Sequence, residues 1–167
     1  YITDKKIFNF KIVYHFKRYE PRHKINIQDK NMANPVLTKK YHFCASHKYG
    51  NDHWSEEKNY EVFGKDYNNH GHNYILGVSM TGPVNPDTGW LVDLGHVNKI
   101  VKSNVVNILD HSQIEQDIPW FKGKQPSSEV IVVWIWEQIS KYLEGVELYR
   151  IRLVETHSIH TDYYGPE

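Results

Sequence analysis

The chain has 167 residues, enough for one domain with a core of its own. Twenty Lys and Arg balance twenty Asp and Glu, so charge gives no case for a nucleic-acid partner; one cysteine excludes an internal disulfide and a Cys-based zinc module. No apolar run approaches the roughly 20 residues of a membrane span and there is no signal-peptide pattern, so no membrane partner and a cytoplasmic setting are expected.

Residues 1–31 are rich in Lys, Asn, Ile, Tyr and Phe and lack the turns found later. The chain does not begin with Met, and Met32-Ala33-Asn34-Pro35 reads as a natural start. Residues 1–31 are therefore expected to be an extension, and residues 32–167 a single domain. An extra strand pair packed on that domain is the alternative.

From Val36 to His47, period-two alternation predicts a strand with Leu37, Lys39, Tyr41, Phe43, Ala45 and His47 on one face. Cys44 falls on the other. Ser55, followed by Glu56 and Glu57, reads as the cap of a short helix ending near Phe63. A polar loop then leads to His70-Gly71-His72-Asn73-Tyr74, the start of a second strand in which His70, His72, Tyr74, Leu76, Val78 and Met80 share a face. Eleven histidines are many for this length, and two imidazoles projecting together suit a divalent metal such as zinc. Antiparallel pairing of the two strands would add His47 as a third ligand. Unliganded surface or core histidines are the alternative.

The run from Gly82 to Gly89 is dense in turn residues and predicts a hairpin to a strand over Trp90–Asp93. Asp93 then caps a helix with a stripe at Leu94, Val97, Val101, Val105 and Ile108. Residues 112–126 read as a loop. Ser127 caps a second helix carrying Ile131, Ile135, Ile139, Tyr142 and Leu143. A strand over Val146–Glu155 puts Tyr149, Ile151, Leu153 and Glu155 on one face, with Arg150 and Arg152 on the other. A carboxylate ending an apolar face needs a cation, a donor pair, a ligand or access to water. A last strand covers Ile159–Tyr164. The expected class is α+β, a four-stranded antiparallel sheet with two helices on one face.

Six segments carry a resemblance to a known family. They are Phe43-Cys44-Ala45-Ser46-His47, His70-Gly71-His72-Asn73-Tyr74, Asp87-Thr88-Gly89-Trp90-Leu91-Val92-Asp93, Leu109-Asp110-His111, Pro126-Ser127-Ser128-Glu129 with Trp134-Ile135-Trp136, and Val154-Glu155-Thr156. In order and spacing they resemble the 6-pyruvoyltetrahydropterin synthase and 6-carboxytetrahydropterin synthase family over about residues 36–167. The resemblance implies a β-β-α-α-β-β tunnelling fold (T-fold), with trimers forming a barrel and two trimers stacking as a homohexamer. It implies Zn2+ on His47, His70 and His72, and a catalytic pair at Asp110 and His111. Glu155 would grip the pterin ring with Thr156 beside it, and Ser127 and Ser128 would contact the substrate, 7,8-dihydroneopterin triphosphate.

One position departs from the family pattern. The catalytic cysteine expected shortly before His70 is replaced by Asp66. A free carboxyl has a pKa of about 3.9 against about 8.5 for a thiol, so Asp66 would be ionised but a weaker base. Three outcomes follow from the replacement: Asp66 serves as the base; side-chain cleavage gives 6-hydroxymethyl-dihydropterin for folate; or catalysis is lost and zinc and pterin binding remain. Within the family, the short spacing before His70, the Thr88-Gly89-Trp90 turn and the Ile118-Pro119 to Ser128-Glu129 region resemble the 6-carboxytetrahydropterin synthase of queuosine biosynthesis, whose product is the one expected, while Ser55 to Lys65 resembles the pyruvoyl type, the alternative.

Overall fold

In the computed structural model the described residues are 33–167, so the extension expected over 1–31 lies outside them. Strand β1 (Val36–His47) buries alternate residues, with Tyr41, Phe43, Ala45 and His47 inward and His42 and Cys44 outward. Helix α1 (Glu56–Phe63) starts where Ser55 Oγ accepts from Lys58 N at 3.2 Å. Strand β2 (His70–Thr81) runs antiparallel to β1, with His47 opposite His70 and Ala45 opposite His72.

The hairpin strand predicted over Trp90–Asp93 is not formed. Asn85 closes the segment on itself: its side-chain oxygen accepts from Asp87 N at 2.9 Å and Thr88 N at 3.1 Å, and its backbone N donates to Trp90 O at 2.9 Å. Gly89, at φ 72°, supplies the left-handed turn this closure needs. A hairpin strand there would also find no free edge on β2, because β1 and β3 flank it on both sides.

Asp93 caps helix α2 (Leu94–Val101), its Oδ1 accepting from Gly95 N at 2.7 Å and from His96 N at 3.4 Å. The helix continues through a π turn over Lys102–Val106 into Asn107–Leu109. That wider turn shifts the buried stripe by one residue. Val97, Val101, Val105 and Leu109 are buried, whereas Leu94 and the predicted Ile108 are exposed. The predicted loop over 112–126 contains helix α3 (Ile114–Asp117) and a 3-10 turn over Pro119–Phe121. Ile114, Ile118 and Phe121 recur at helical spacing there and enter the core.

Helix α4 (Ser128–Ile139) buries Ile131, Trp134, Ile135 and Ile139 against the sheet. Ser127 occupies the cap position without a side-chain cap bond. Strands β3 (Glu147–Val154) and β4 (His160–Tyr163) complete an antiparallel sheet of order β1-β2-β3-β4. The helices cover the face holding Phe43, Leu76, Val78, Ile151 and Leu153. On the other face Arg152 clamps Asp162 with two bonds of 2.7 and 2.6 Å, tying β4 to β3. Among the described residues, no helix is long and apolar enough to cross a membrane.

Candidate active site

The apolar face of the sheet ends in three imidazoles. The β1–β2 register sets His47 beside His70, and His72 follows on the same face. One ligand atom from each of the three can be chosen so that all lie within 4.8 Å of one another. His47 is fully buried, and its Nδ1 donates to Pro126 O at 2.7 Å. His70 Nδ1 donates likewise to Asn68 O at 2.9 Å. A carbonyl oxygen can only accept, so both Nδ1 atoms carry the proton and both Nε2 atoms present lone pairs. His47 Nε2 is buried without a hydrogen-bond partner. Burial pushes the His47 pKa below its ordinary value, outweighing the Pro126 carbonyl, and keeps the ring neutral. A neutral imidazole anchored at one nitrogen, with the other left orphaned, is a donor that zinc takes.

Glu155 stands against this cluster. Its Oε1 lies 3.7 Å from His47 Nε2 and 3.7 Å from His72 Nε2, and its side chain is 12% exposed. Tyr74 OH donates to the same oxygen at 3.4 Å. Burial, then the Glu155 charge, pushes the Tyr74 pKa upward, so the phenol stays a donor. Asp66 also reaches the cluster, its Oδ1 3.9 Å from His70 Nε2 on an exposed side chain. It sits in a 3-10 turn over Gly64–Tyr67, and its carbonyl accepts from Tyr49 N at 2.9 Å.

Two neighbours escape a reading of sequence periodicity. Tyr49 lies against His47 and stacks on His70 and Phe63, with ring centroids 5.3, 6.5 and 5.9 Å apart. Its pKa is pushed up to about 12, first by burial and then by the charges of Glu155, Glu129 and Asp66. Three carboxylates therefore bear on one phenol. Tyr49 lies past the end of β1, where alternation no longer speaks. Glu129 reads in the sequence as a first-turn helix acid and nothing more.

The other sequence-predicted residues make contacts of their own. Asp110 Oδ2 is 3.1 Å from His111 Nδ1, and Asp110 Oδ1 accepts from Cys44 N at 2.9 Å. The Cys44 N–H, with His111, holds the Asp110 carboxyl below its usual range. His111 N donates to Cys44 O at 2.6 Å, so residues 110–112 run beside the free edge of β1. His111 adopts φ 63°, and its side chain is 81% exposed. It lines a cavity of about 330 Å³ together with Cys44, Ser46, His72, Asn73 and Ser112. Among the described residues, no hydrogen bond or ion pair joins this pair to the histidine trio. Ser128 is buried, its hydroxyl bonded to Thr161 Oγ1 at 2.8 Å. Thr156 Oγ1 accepts from Ile159 N at 3.1 Å and holds the β3–β4 turn beside Glu155. Ser127 is half-buried at the start of α4.

The sequence model of a family described as 6-pyruvoyl tetrahydropterin synthase matches residues 36–166. A 6-pyruvoyl tetrahydrobiopterin synthase of Dictyostelium discoideum is 35% identical over 130 residues, covering 78% of this chain and 96% of that protein. The Homo sapiens protein of the same name is 31% identical over 131 residues, covering 77% and 90%. Among solved structures, 6-pyruvoyl tetrahydropterin synthase of Caenorhabditis elegans superposes with a TM-score of 0.71 at 30% identity, covering 81% of this chain and 99% of that one.

Proposed function

The chain is a lyase of the 6-pyruvoyl tetrahydropterin synthase family, and from that premise we propose that it eliminates triphosphate from 7,8-dihydroneopterin triphosphate at a zinc site on His47, His70 and His72. The observation that carries this reading is the orphaned Nε2 of His47, buried beside two further imidazoles and an anionic oxygen. When bound, zinc supplies Lewis-acid activation of the substrate side chain.

The chain's own groups do the rest. His47 and His70 keep their ring orientation through Pro126 O and Asn68 O. Tyr74 and Glu155 offer a donor and an anionic acceptor on an otherwise apolar wall, which suits the N–H edge of a pterin. Thr156 fixes the turn that presents Glu155. Asp66, beside His70, is the base for the substrate proton that leaves first. Asp110 holds His111 at Nδ1 and leaves its Nε2 to exchange a proton. Because no hydrogen bond or ion pair among the described residues joins that pair to the trio in its own chain, we assign it to the trio of a neighbouring subunit in the homohexamer. Ser127 and the exposed Glu129, next to Pro126 at the start of α4, are substrate-side residues beside the trio of their own chain, and Ser128 between them is bonded to Thr161.

The names of the relatives support a 6-pyruvoyl product. The 6-carboxy product of queuosine biosynthesis is the second reading, favoured by the four-residue step from Asp66 to His70. The test common to both is triphosphate release, followed by ion chromatography. Zinc-loaded protein should release it. Protein stripped with a chelator should not, and zinc should restore the activity. Release that persists at full rate in the stripped protein would remove zinc from the reaction.

A further inference from the structure

We infer that Glu155 is a fourth metal ligand in the substrate-free protein and that substrate binding displaces it. This rests on the reading of His47, His70 and His72 as the zinc site. Its starting point is a contact that is unfavourable as it stands. The Pro126 carbonyl fixes the proton of His47 on Nδ1, so Nε2 turns a lone pair toward Glu155 Oε1, 3.7 Å away. The same oxygen lies 3.7 Å from His72 Nε2. At 12% exposure, with a long bond from Tyr74 at 3.4 Å, this carboxylate has little water and no Lys or Arg partner among the described ion pairs. An anionic oxygen held against the acceptor Nε2 of His47, out of water, calls for a cation between them. A single proton would satisfy His47 alone, whereas a divalent cation would engage His47, His70 and His72 together, whose ligand atoms lie within 4.8 Å of one another.

The spacing agrees. With bonds of roughly 2.0–2.1 Å, the ligand atoms around a tetrahedral zinc stand about 3.3 Å apart. Glu155 Oε1 is within a few tenths of an ångström of that separation from two of the three imidazoles. Asp66 comes near one imidazole, at 3.9 Å from His70 Nε2, and its side chain is 65% exposed. The position that three histidines leave open therefore belongs to Glu155. A substrate whose hydroxyls take that position releases the carboxylate onto the wall beside Tyr74, where it becomes free to accept from the pterin ring. The glutamate thus closes the metal at rest and anchors the ring once the substrate has entered.

The test uses the full-length protein loaded with cobalt, whose visible absorption reports ligand number and type, together with zinc affinity by chelator competition. Glu155→Gln keeps the shape and the Tyr74 contact. It should change the cobalt spectrum in the absence of substrate and weaken zinc binding about tenfold or more. Glu155→Ala should do the same, and Asp66→Asn should change neither. The inference is overturned if both Glu155 variants fold, bind zinc as tightly as the parent and keep its cobalt spectrum. It is equally overturned if Asp66→Asn moves the spectrum and the Glu155 variants do not. If the parent protein itself binds neither zinc nor cobalt, the three-histidine reading fails, and the inference fails with it.

Discussion

His47 is a core residue that also belongs to the three-histidine cluster, and its two ring nitrogens differ. Nδ1 is bonded to Pro126 O, and Nε2 is left without a partner in a buried setting. His47→Ala, His70→Ala and His72→Ala should each abolish stoichiometric zinc, as measured by metal analysis after dialysis; retention in all three would remove the site. His47→Ala should also destabilise the fold by about 1–3 kcal/mol in urea denaturation, because it opens a cavity and orphans a carbonyl. At His111, a non-glycine residue at φ 63° carries a backbone cost of roughly 1–2 kcal/mol. His111→Gly is therefore expected to keep or raise the midpoint of thermal unfolding while losing most turnover. A large fall in that midpoint would show that the ring is needed for folding. The histidine trio was legible in the sequence because strand parity is rigid: a one-residue step changes face, so His70, His72 and His47 declare their side without further information. Tyr49 was not legible, since past a strand end nothing in the residue order fixes direction.

Elements obey the sequence where local chemistry is self-sufficient. Ser55 and Asp93 cap their helices as read, and Asp93→Ala should cost about 1 kcal/mol of unfolding free energy, with an unchanged urea m-value. The Trp90–Asp93 strand failed for a non-local reason. Turn residues do foretell a turn after β2, but they carry no record that both edges of β2 are taken. The π turn over Lys102–Val106 is likewise invisible to a 3.6-residue period, and it moved burial from Ile108 to Leu109.

The β3–β4 pair carries a pH dependence that belongs to this scale. Hydrogen bonding from Arg152 holds the Asp162 carboxyl below its ordinary value. Its stabilising contribution is therefore complete above the unfolded carboxyl pKa of about 3.9 and is lost as pH falls through the lower folded value. Asp162→Asn should cost about 1 kcal/mol at neutral pH, a weight suited to a half-exposed pair, and much less near pH 2. Equal destabilisation at both values would assign the effect to packing instead of charge.

At the scale of the whole molecule, the main consequence of the proposed function is a site divided between subunits. One chain presents three imidazoles with Glu155 and Asp66 on one side, and Asp110–His111 along the outer edge of β1. Residue order shows both groups but not that, among the described residues, no hydrogen bond or ion pair joins them within one chain. Mixing His70→Ala subunits with His111→Ala subunits, each inactive alone, should regenerate some sites with both parts intact. Recovered turnover after refolding the mixture would support sharing between subunits, and its absence would place the whole reaction within one chain. Above this stands the identity of the reaction. The most direct measurement is mass spectrometry of the pterin formed from 7,8-dihydroneopterin triphosphate by the zinc-loaded protein. The expected result is a 6-pyruvoyl tetrahydropterin with one triphosphate released per turnover. Recovery of the substrate unchanged, with the pterin bound and the zinc in place, would contradict a working lyase and leave a zinc- and pterin-binding protein.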